Sequence, residues 1–199
     1  VFTEVKGYLK DLGYDVELDP TTKGSLDKVQ KDIEDFKIHS KKAKEIYWGK
    51  LDKSELNDFL SHIDKSVVSG RKLDSKQALS AYHLTHSLNG CNFSVPGSGK
   101  TTAVYAAYSY LKSKDIVNKL LVIGPQSCFA PWEDEYEECF SIPVKSIRAN
   151  KLPTLDRINF FRSIVDEELV LLGFQSLANH IEDIKKFLTV NKKVMVVID

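Results

Sequence analysis

The fold is decided by one stretch of sequence, Phe93-Ser94-Val95-Pro96-Gly97-Ser98-Gly99-Lys100-Thr101-Thr102. It follows an apolar run at residues 91–95 and precedes a helical pattern at 103–111, which is the strand–loop–helix order of a phosphate-binding loop. Glycines let the backbone turn tightly and direct several N–H groups at one anion, and a helix that begins at Lys100 adds its positive dipole end. The stretch therefore predicts a site for a nucleoside triphosphate.

Individual side chains of this loop have predicted roles. Lys100 can reach the β and γ phosphates, and the Thr101 hydroxyl can be a ligand of Mg²⁺. The common pattern has glycine where this chain has Ser94, and we interpret that change as a subfamily variant because the core Gly-x-Gly-Lys-Thr is intact. The predicted nucleotide-binding residues of the loop are Pro96, Gly97, Ser98, Gly99, Lys100, Thr101 and Thr102.

From residue 73 onward, short apolar runs alternate with amphipathic helical patterns. This alternation is typical of a parallel sheet that is covered by helices on both faces. We therefore expect an α/β fold at 71–199. The predicted strands are 91–95, 119–123, 144–147, 168–172 and 193–198, and the predicted helices lie near 101–112, 128–139, 155–166 and 176–189.

Residues 1–70 form a separate region in this interpretation, mainly helical and rich in lysine and acidic residues. Turn residues at 19–24 precede Ser25, which we expect to cap a helix with apolar residues on one face. We expect a later helix from about Ser54 to residue 67, with Asp52 or Ser54 at its start and residues 69–70 as its stop. We predict an accessory region that packs on the second region or on a protein partner.

The composition excludes several classes of protein. The chain has 199 residues, with 28 basic and 28 acidic side chains, so any nucleic-acid contact must be local. Its longest apolar stretches, such as 120–123 and 194–198, are far shorter than the roughly 20 residues of a membrane span. Three cysteines without CxxC spacing argue against a disulfide framework or a zinc site, and we expect them in or near a core. We expect a cytoplasmic protein that does not contact a membrane.

Segments on both sides of the loop carry a resemblance. They are Arg71 to Gln77, Leu120 to Ser127 followed by Trp132 and Glu135, Leu171 to Leu177, and Val196 to Asp199. In this order and spacing, residues 71–199 resemble the first RecA-like lobe of superfamily-2 helicases, and they are most similar to the Swi/Snf-type DNA-translocating ATPases. The resemblance implies a RecA-like phosphate-loop sheet, ATP and Mg²⁺ as ligands, and DNA as a partner.

The resemblance also implies roles for single residues. Gln77 matches a glutamine that reads adenine, and Asp199 matches an aspartate that holds Mg²⁺, so the implied catalytic residues are Lys100 and Asp199. Sequence-independent backbone contacts with DNA are implied for Gln126, Ser127, Phe174, Gln175 and Ser176. In the family a glutamate follows the aspartate and activates water, and a second RecA-like lobe completes the site.

The expected function is therefore the ATP-binding motor lobe of a nucleic-acid-dependent translocase or helicase. The sequence stops at Asp199, within the implied Mg²⁺-binding motif, so we expect this chain alone to be nearly inactive. As a separate expectation, we favour a bacterial or phage origin. One alternative is another phosphate-loop ATPase, such as an AAA+ protein or a small-molecule kinase. Another is a non-catalytic interaction module. The basic run at residues 41–44 is expected to be a solvated face, with DNA contact as its alternative.

Overall fold

The computed structural model describes residues 2–14, 17, 19–67 and 71–199. The chain before the glycine-rich loop forms helices. They are α1 (Phe2–Asp11), α2 (Pro20–Tyr47), α3 (Lys53–Ser66) and α4 (Ser75–His86). This part of the chain is mainly helical, as the sequence predicts.

The second region is a parallel sheet flanked by helices, which confirms the predicted α/β class. Its strands are β1 (Lys119–Gly124), β2 (Ser146–Arg148), β3 (Leu169–Gly173) and β4 (Val194–Ile198). Their spatial order is β2-β3-β1-β4, with every neighbouring pair parallel. The helices are α5 (Lys100–Ser113), α6 (Phe129–Phe140), α7 (Thr154–Phe161), α8 (Phe174–Asn179) and α9 (Ile181–Val190).

Strand β1 shows how the sheet divides the core, because successive side chains of a strand point to opposite faces. Leu120 and Val122 pack with α5 and α6, whereas Leu121 and Ile123 pack with α7 and α9. All four side chains are buried, as expected for the central strand of a sheet covered on both faces. Trp132 of α6 is in the first of these clusters and packs its helix against the sheet.

The outer face of α5 packs against the preceding helices. Ala103 and Ala106 share a hydrophobic cluster with Phe59 of α3, Tyr82 of α4 and Ile46 of α2. Because alanine side chains are small, the large rings of Phe59 and Tyr82 can pack directly against this face of α5. Helices α2 and α3 thus share buried surface with α5, and the division of the chain at residue 70 stays a prediction.

The start of α2 differs from the prediction. The helix begins at Pro20 because the Asp19 carboxylate accepts hydrogen bonds from the backbone N–H groups of Thr21 and Thr22, both at 3.0 Å. Proline is favoured in the first helical turn, where no N–H is needed. Ser25 lies inside the helix and donates to the Thr21 carbonyl, so its predicted capping role is wrong.

The other predicted helix boundaries are met in part. Asp52 caps α3 through the N–H groups of Ser54 and Glu55, as predicted. The proposed stop at residues 69–70 lies outside the described residues. The single helix expected at 176–189 is instead two helices, α8 and α9, that meet at His180.

The strand expected at residues 91–95 is not formed. Phe93 is 93% exposed and Val95 is 72% exposed, and the segment pairs with no strand of the described sheet. Asn92 holds an alternative local structure, since its Oδ1 accepts from the Ser94 N–H at 3.1 Å and its Nδ2 donates to Ser80 of α4 at 3.1 Å. Such side-chain bonds compete with sheet pairing, which here would need a partner strand.

Two further findings concern the composition. Cys139 is buried and Cys128 is partly buried, but Cys91 is exposed, so its predicted place near a core is wrong. Within the described ranges, no helix is both long enough and apolar enough to cross a membrane.

Candidate nucleotide site and carboxyl edge of the sheet

The glycine-rich loop makes a tight turn into α5. Gly97 and Gly99 have φ angles of 78° and 74°, a left-handed conformation that favours glycine. The Ser98 N–H donates to the Val95 carbonyl at 3.2 Å, and α5 begins directly at Lys100. The start of α5 has no side-chain cap, so its first N–H groups are available to an anion.

Gln77 lies against this loop, although 21 residues separate it from Ser98. Its Nε2 donates to the Ser98 carbonyl at 3.0 Å, while its Oε1 accepts from the Asp74 N–H at 3.0 Å in a capping box. A Cβ on Gly99 would lie only 2.4 Å from this Nε2, so the contact needs glycine there. Gln77 is thus beside the candidate nucleotide site, but both ends of its amide already have protein partners.

The Lys100 side chain turns back onto its own loop. Its Nζ donates to the carbonyls of Ser94, at 2.8 Å, and Val95, at 3.3 Å. These two bonds hold residues 94–100 in a ring around the ammonium group. Phosphate oxygens would have to replace these neutral carbonyls, and the negative charge of a phosphate favours that exchange.

Ser98 gives an observation that fits an anionic ligand. Its hydroxyl oxygen is buried and has no hydrogen-bond partner. A buried hydroxyl without a partner is costly, and a phosphate oxygen would satisfy it. Thr101, the predicted Mg²⁺ ligand, is partly buried on the first turn of α5.

Thr102 faces a different way from the rest of the predicted set. It is 8% exposed, and its hydroxyl donates to the Glu135 carboxylate of α6. Arg71 forms ion pairs with Glu135 and with Glu138. The bond from Thr102 joins the first turn of α5 to α6, so the Thr102 side chain serves packing between helices.

Asp199 follows β4 at the carboxyl edge of the sheet. Its N–H continues the ladder to the Ile123 carbonyl at 2.9 Å, and its Oδ2 accepts from the indole Nε1 of Trp132 at 2.9 Å. The Trp132 ring also packs edge-on against Tyr105 of α5, with centroids 5.3 Å apart. Trp132 therefore connects the helix after the glycine-rich loop with the carboxylate at the end of β4.

Cys128 lies beside the same carboxylate. Burial, and next the negative charge of Asp199, raise the pKa of the Cys128 thiol to about 11. The thiol is therefore protonated near neutral pH and can donate to Asp199. Among the described residues, no group of three or more histidine, cysteine, aspartate or glutamate side chains is arranged to hold a metal ion. A Mg²⁺ ion at Asp199 would need phosphate and hydroxyl oxygens as its other ligands.

The two predicted nucleic-acid loops lie next to each other. They follow β1 and β3, which pair so that Gly124 is opposite Gly173. Gln126, Ser127 and Gln175 are exposed there. Phe174 is 46% exposed and Ser176 is partly buried. The structure thus brings these five residues to one edge of the sheet, with Asp199 at the end of the neighbouring strand β4.

Sequence reasoning missed a residue that shapes this edge. Asn150 accepts a hydrogen bond from the Gly173 N–H at 3.0 Å, and a Cβ on Gly173 would lie 2.5 Å from the Asn150 Nδ2. No local pattern indicates this contact, because its partners are 23 residues apart. Glu135, by contrast, has a signal in the sequence, since it stands three residues after Trp132 in the segment that carries the resemblance.

Comparisons with known proteins add a similarity of structure. No family model and no curated protein matches the sequence. The solved structure of the Sulfolobus solfataricus SWI2/SNF2 ATPase core in complex with dsDNA is similar to the chain, with a TM-score of 0.47 and 18% sequence identity. The similarity covers 67% of this chain and 32% of that chain. A similarity at this level assigns no activity, so any function has to be supported by the residues themselves.

Proposed function

We propose that this chain is the ATP-binding lobe of a nucleic-acid-dependent ATPase, with DNA as the polymer. The observation that carries the proposal is the glycine-rich loop, with two left-handed glycines, an uncapped helix start at Lys100 and a buried Ser98 hydroxyl without a partner. These groups together offer an anion several N–H and O–H donors and the ammonium group of Lys100.

In this proposal each loop residue has a defined task. The backbone N–H groups of residues 97–101 hold the phosphates, and Lys100 exchanges the Ser94 and Val95 carbonyls for phosphate oxygens. Gln77 gives up its bond to the Ser98 carbonyl when its amide contacts adenine. The family resemblance is the source of the role of Gln77, since the contacts alone place it only beside the loop.

Thr101 and Asp199 are the proposed protein ligands of Mg²⁺. A hydroxyl and a carboxylate are oxygen donors of the type that Mg²⁺ prefers, and bound Mg²⁺ would neutralise negative charge on the phosphates. Trp132 orients the Asp199 carboxylate through the bond from its Nε1. Trp132 also packs on Tyr105 of α5, the helix that directly follows the loop. A movement of the loop that shifts α5 would therefore displace Trp132 and the Asp199 carboxylate bound to it.

DNA is proposed to contact the carboxyl edge of the sheet through Gln126, Ser127, Phe174, Gln175 and Ser176. Amide and hydroxyl groups can bind the phosphates of any sequence, which a translocating protein requires. The choice of double-stranded DNA and of translocation over strand separation depends on the Swi/Snf-type resemblance.

A second candidate is a non-catalytic interaction module. The observation that favours it is the closed state of the loop, in which Lys100 and Gln77 already bind loop carbonyls and residues 91–95 form no strand. In such a module these bonds would be permanent, and the loop would not open for a nucleotide.

Turnover of ATP by the natural protein, measured with and without duplex DNA, tests the proposal. We expect DNA to raise the rate and a Lys100→Ala substitution to abolish it, whereas Lys186→Ala, at an exposed position on α9, leaves it unchanged. Turnover that ignores every nucleic acid would exclude a DNA-dependent motor, and turnover in Lys100→Ala equal to that of the unaltered protein would exclude the loop as its site.

A further inference from the structure

The outer face of α2 carries an open groove with a volume of about 570 Å³. It lies on the C-terminal half of the helix and on the turn that follows. The residues that carry the argument are Phe36, Lys37, Lys41, Lys44, Trp48 and Lys50. None of them belongs to the glycine-rich loop or to the carboxyl edge of the sheet.

The groove concentrates positive charge in a chain whose net charge is zero. Its four lysines are exposed, and none of them forms an ion pair with another residue in the described part of the chain. Glu45 is the single acidic residue of the lining, so four positive charges face one negative charge. Lys42, on the other side of the helix, is instead paired with Glu55 at 2.7 Å. In contrast to Lys42, the four lysines of the groove thus keep charges that no described carboxylate neutralises.

Exposed aromatic rings lie at the two ends of this basic face. Phe36 is 49% exposed and Trp48 is 76% exposed. Trp48, which directly follows α2, is twelve positions after Phe36, and this corresponds to about 18 Å along the helix axis. Lys37, Lys41 and Lys44 stand between the rings at helical spacing, so a basic segment is flanked by two exposed rings.

We propose that this face of α2 binds single-stranded nucleic acid. Lysines along a groove bind the phosphates of a strand, and exposed rings stack on its unpaired bases without regard to sequence. A duplex offers phosphates but keeps its base faces stacked inside, and an acidic peptide has no base to stack on the rings. The combination of lysines with Phe36 and Trp48 therefore favours a single strand.

The proposed site is separate from the ATP site and does not depend on it. Its test uses the 199-residue chain without nucleotide and a fluorescein-labelled oligothymidylate of about 20 nucleotides, followed by fluorescence anisotropy at several salt concentrations. Four lysine contacts predict that log K falls with log salt with a slope of about −3, since each phosphate contact on a single strand contributes about −0.7.

Charge reversal separates this groove from general attraction by lysine. We expect Lys41→Glu/Lys44→Glu to weaken binding at least about tenfold, because two contacts become repulsive. The matched control is Lys186→Glu/Lys192→Glu, which makes the same change of net charge at two exposed lysines remote from the groove. Equal losses in the two variants would overturn the proposal.

Trp48 tests the stacking part. Trp48→Ala is expected to weaken binding about tenfold, and Trp48→Phe to retain most of the affinity, since stacking on a base requires a ring. Its side chain is exposed, so the fold should not change, and circular dichroism checks this. Equal affinity in Trp48→Ala and the unaltered chain would contradict stacking.

Two competition experiments define the partner class. If oligoglutamate or duplex DNA displaced the labelled strand with the same efficiency as unlabelled oligothymidylate, the assignment to single strands would be overturned.

Two variants test whether the strand site and the ATP site are independent. Lys100→Ala must bind the strand as the unaltered chain does, and Lys41→Glu/Lys44→Glu must bind ATP as the unaltered chain does. Failure of the strand site therefore leaves the proposed ATP site untouched, and the converse also holds.

Discussion

The two edges of the sheet differ in how their polar groups are used. At the amino edge, where the parallel strands begin, the side chain of Glu168 accepts hydrogen bonds from Tyr108 and Tyr136, both at 3.0 Å, and from Lys112 at 2.6 Å. Lys119 is buried at the same edge and donates to the Val165 carbonyl. Polar atoms here are bound to other parts of the protein.

The carboxyl edge exposes more of its polar side chains. Gln126, Ser127 and Gln175 are exposed after β1 and β3. Gly124 and Gly173 keep the strand ends close to neighbouring side chains, since a Cβ on either would lie within 3.0 Å of another side chain. Ligands of open parallel sheets bind outside the carboxyl ends of the strands. The comparison indicates that the amino edge stabilises the fold and that the carboxyl edge is free to bind a ligand.

The largest expected effect is at the amino edge. Glu168→Ala leaves the hydroxyls of Tyr108 and Tyr136 without their acceptor, and Tyr108 is only 1% exposed. We expect a loss of about 3 kcal/mol in the free energy of unfolding, since each buried donor without an acceptor costs roughly 1–3 kcal/mol. Urea denaturation measures it.

Glu167→Ala is the control for that change, because no hydrogen bond or ion pair involves the Glu167 side chain in the described structure. It should alter the free energy of unfolding by less than about 0.5 kcal/mol. Equal destabilisation by the two variants would remove the distinction between the edges.

A smaller effect separates the two glycines of the loop. Gly97→Ala and Gly99→Ala both place a Cβ on a left-handed residue, at φ angles of 78° and 74°, and each should cost about 1 kcal/mol of stability. Gly99→Ala should cost about 1 kcal/mol more, because it also breaks the hydrogen bond from Gln77 to Ser98.

A double-mutant cycle tests the cause of that difference. In a Gln77→Ala background the clash with Nε2 is absent, so Gly99→Ala should cost no more than Gly97→Ala does. Urea midpoints for the six proteins give the answer. A difference that persists without Gln77 would show that another contact restricts Gly99.

The smallest effect on stability is expected at the carboxyl edge. Gln126→Ala/Gln175→Ala removes two exposed side chains and should change the free energy of unfolding by less than about 0.5 kcal/mol. In the proposed function the same variant should bind duplex DNA severalfold more weakly, measured by anisotropy. A large loss of stability, or unchanged DNA binding, would contradict the role given to this edge.

Local sequence patterns predicted most of the fold. Apolar runs at 119–123, 168–172 and 193–198 are strands, because a strand buried on both faces needs a continuous apolar run. Residues 91–95 have a similar run but no partner strand in the described sheet, and pairing is not a local property. Asp19 and Pro20 are typical both of a turn and of the start of a helix, and the sequence alone did not decide between these two structures.

The candidate site was predictable where it depends on neighbours in the chain. The left-handed glycines and the helix start at Lys100 follow from the loop sequence. The contacts of Gln77 with Ser98, of Trp132 with Asp199 and of Glu135 with Thr102 join residues that are 21, 67 and 33 positions apart. Such contacts are set by the packing of α4, α5 and α6, which no single-sequence pattern encodes.

The most direct test of the central claim is equilibrium binding of a fluorescent ATP analogue to this chain, with and without Mg²⁺. We expect Mg²⁺-dependent binding that weakens at least about tenfold in Lys100→Ala, equivalent to about 1.4 kcal/mol, and stays unchanged in Lys186→Ala. Equal affinity in Lys100→Ala and the unaltered chain would contradict it, because the glycine-rich loop would then not be the nucleotide site.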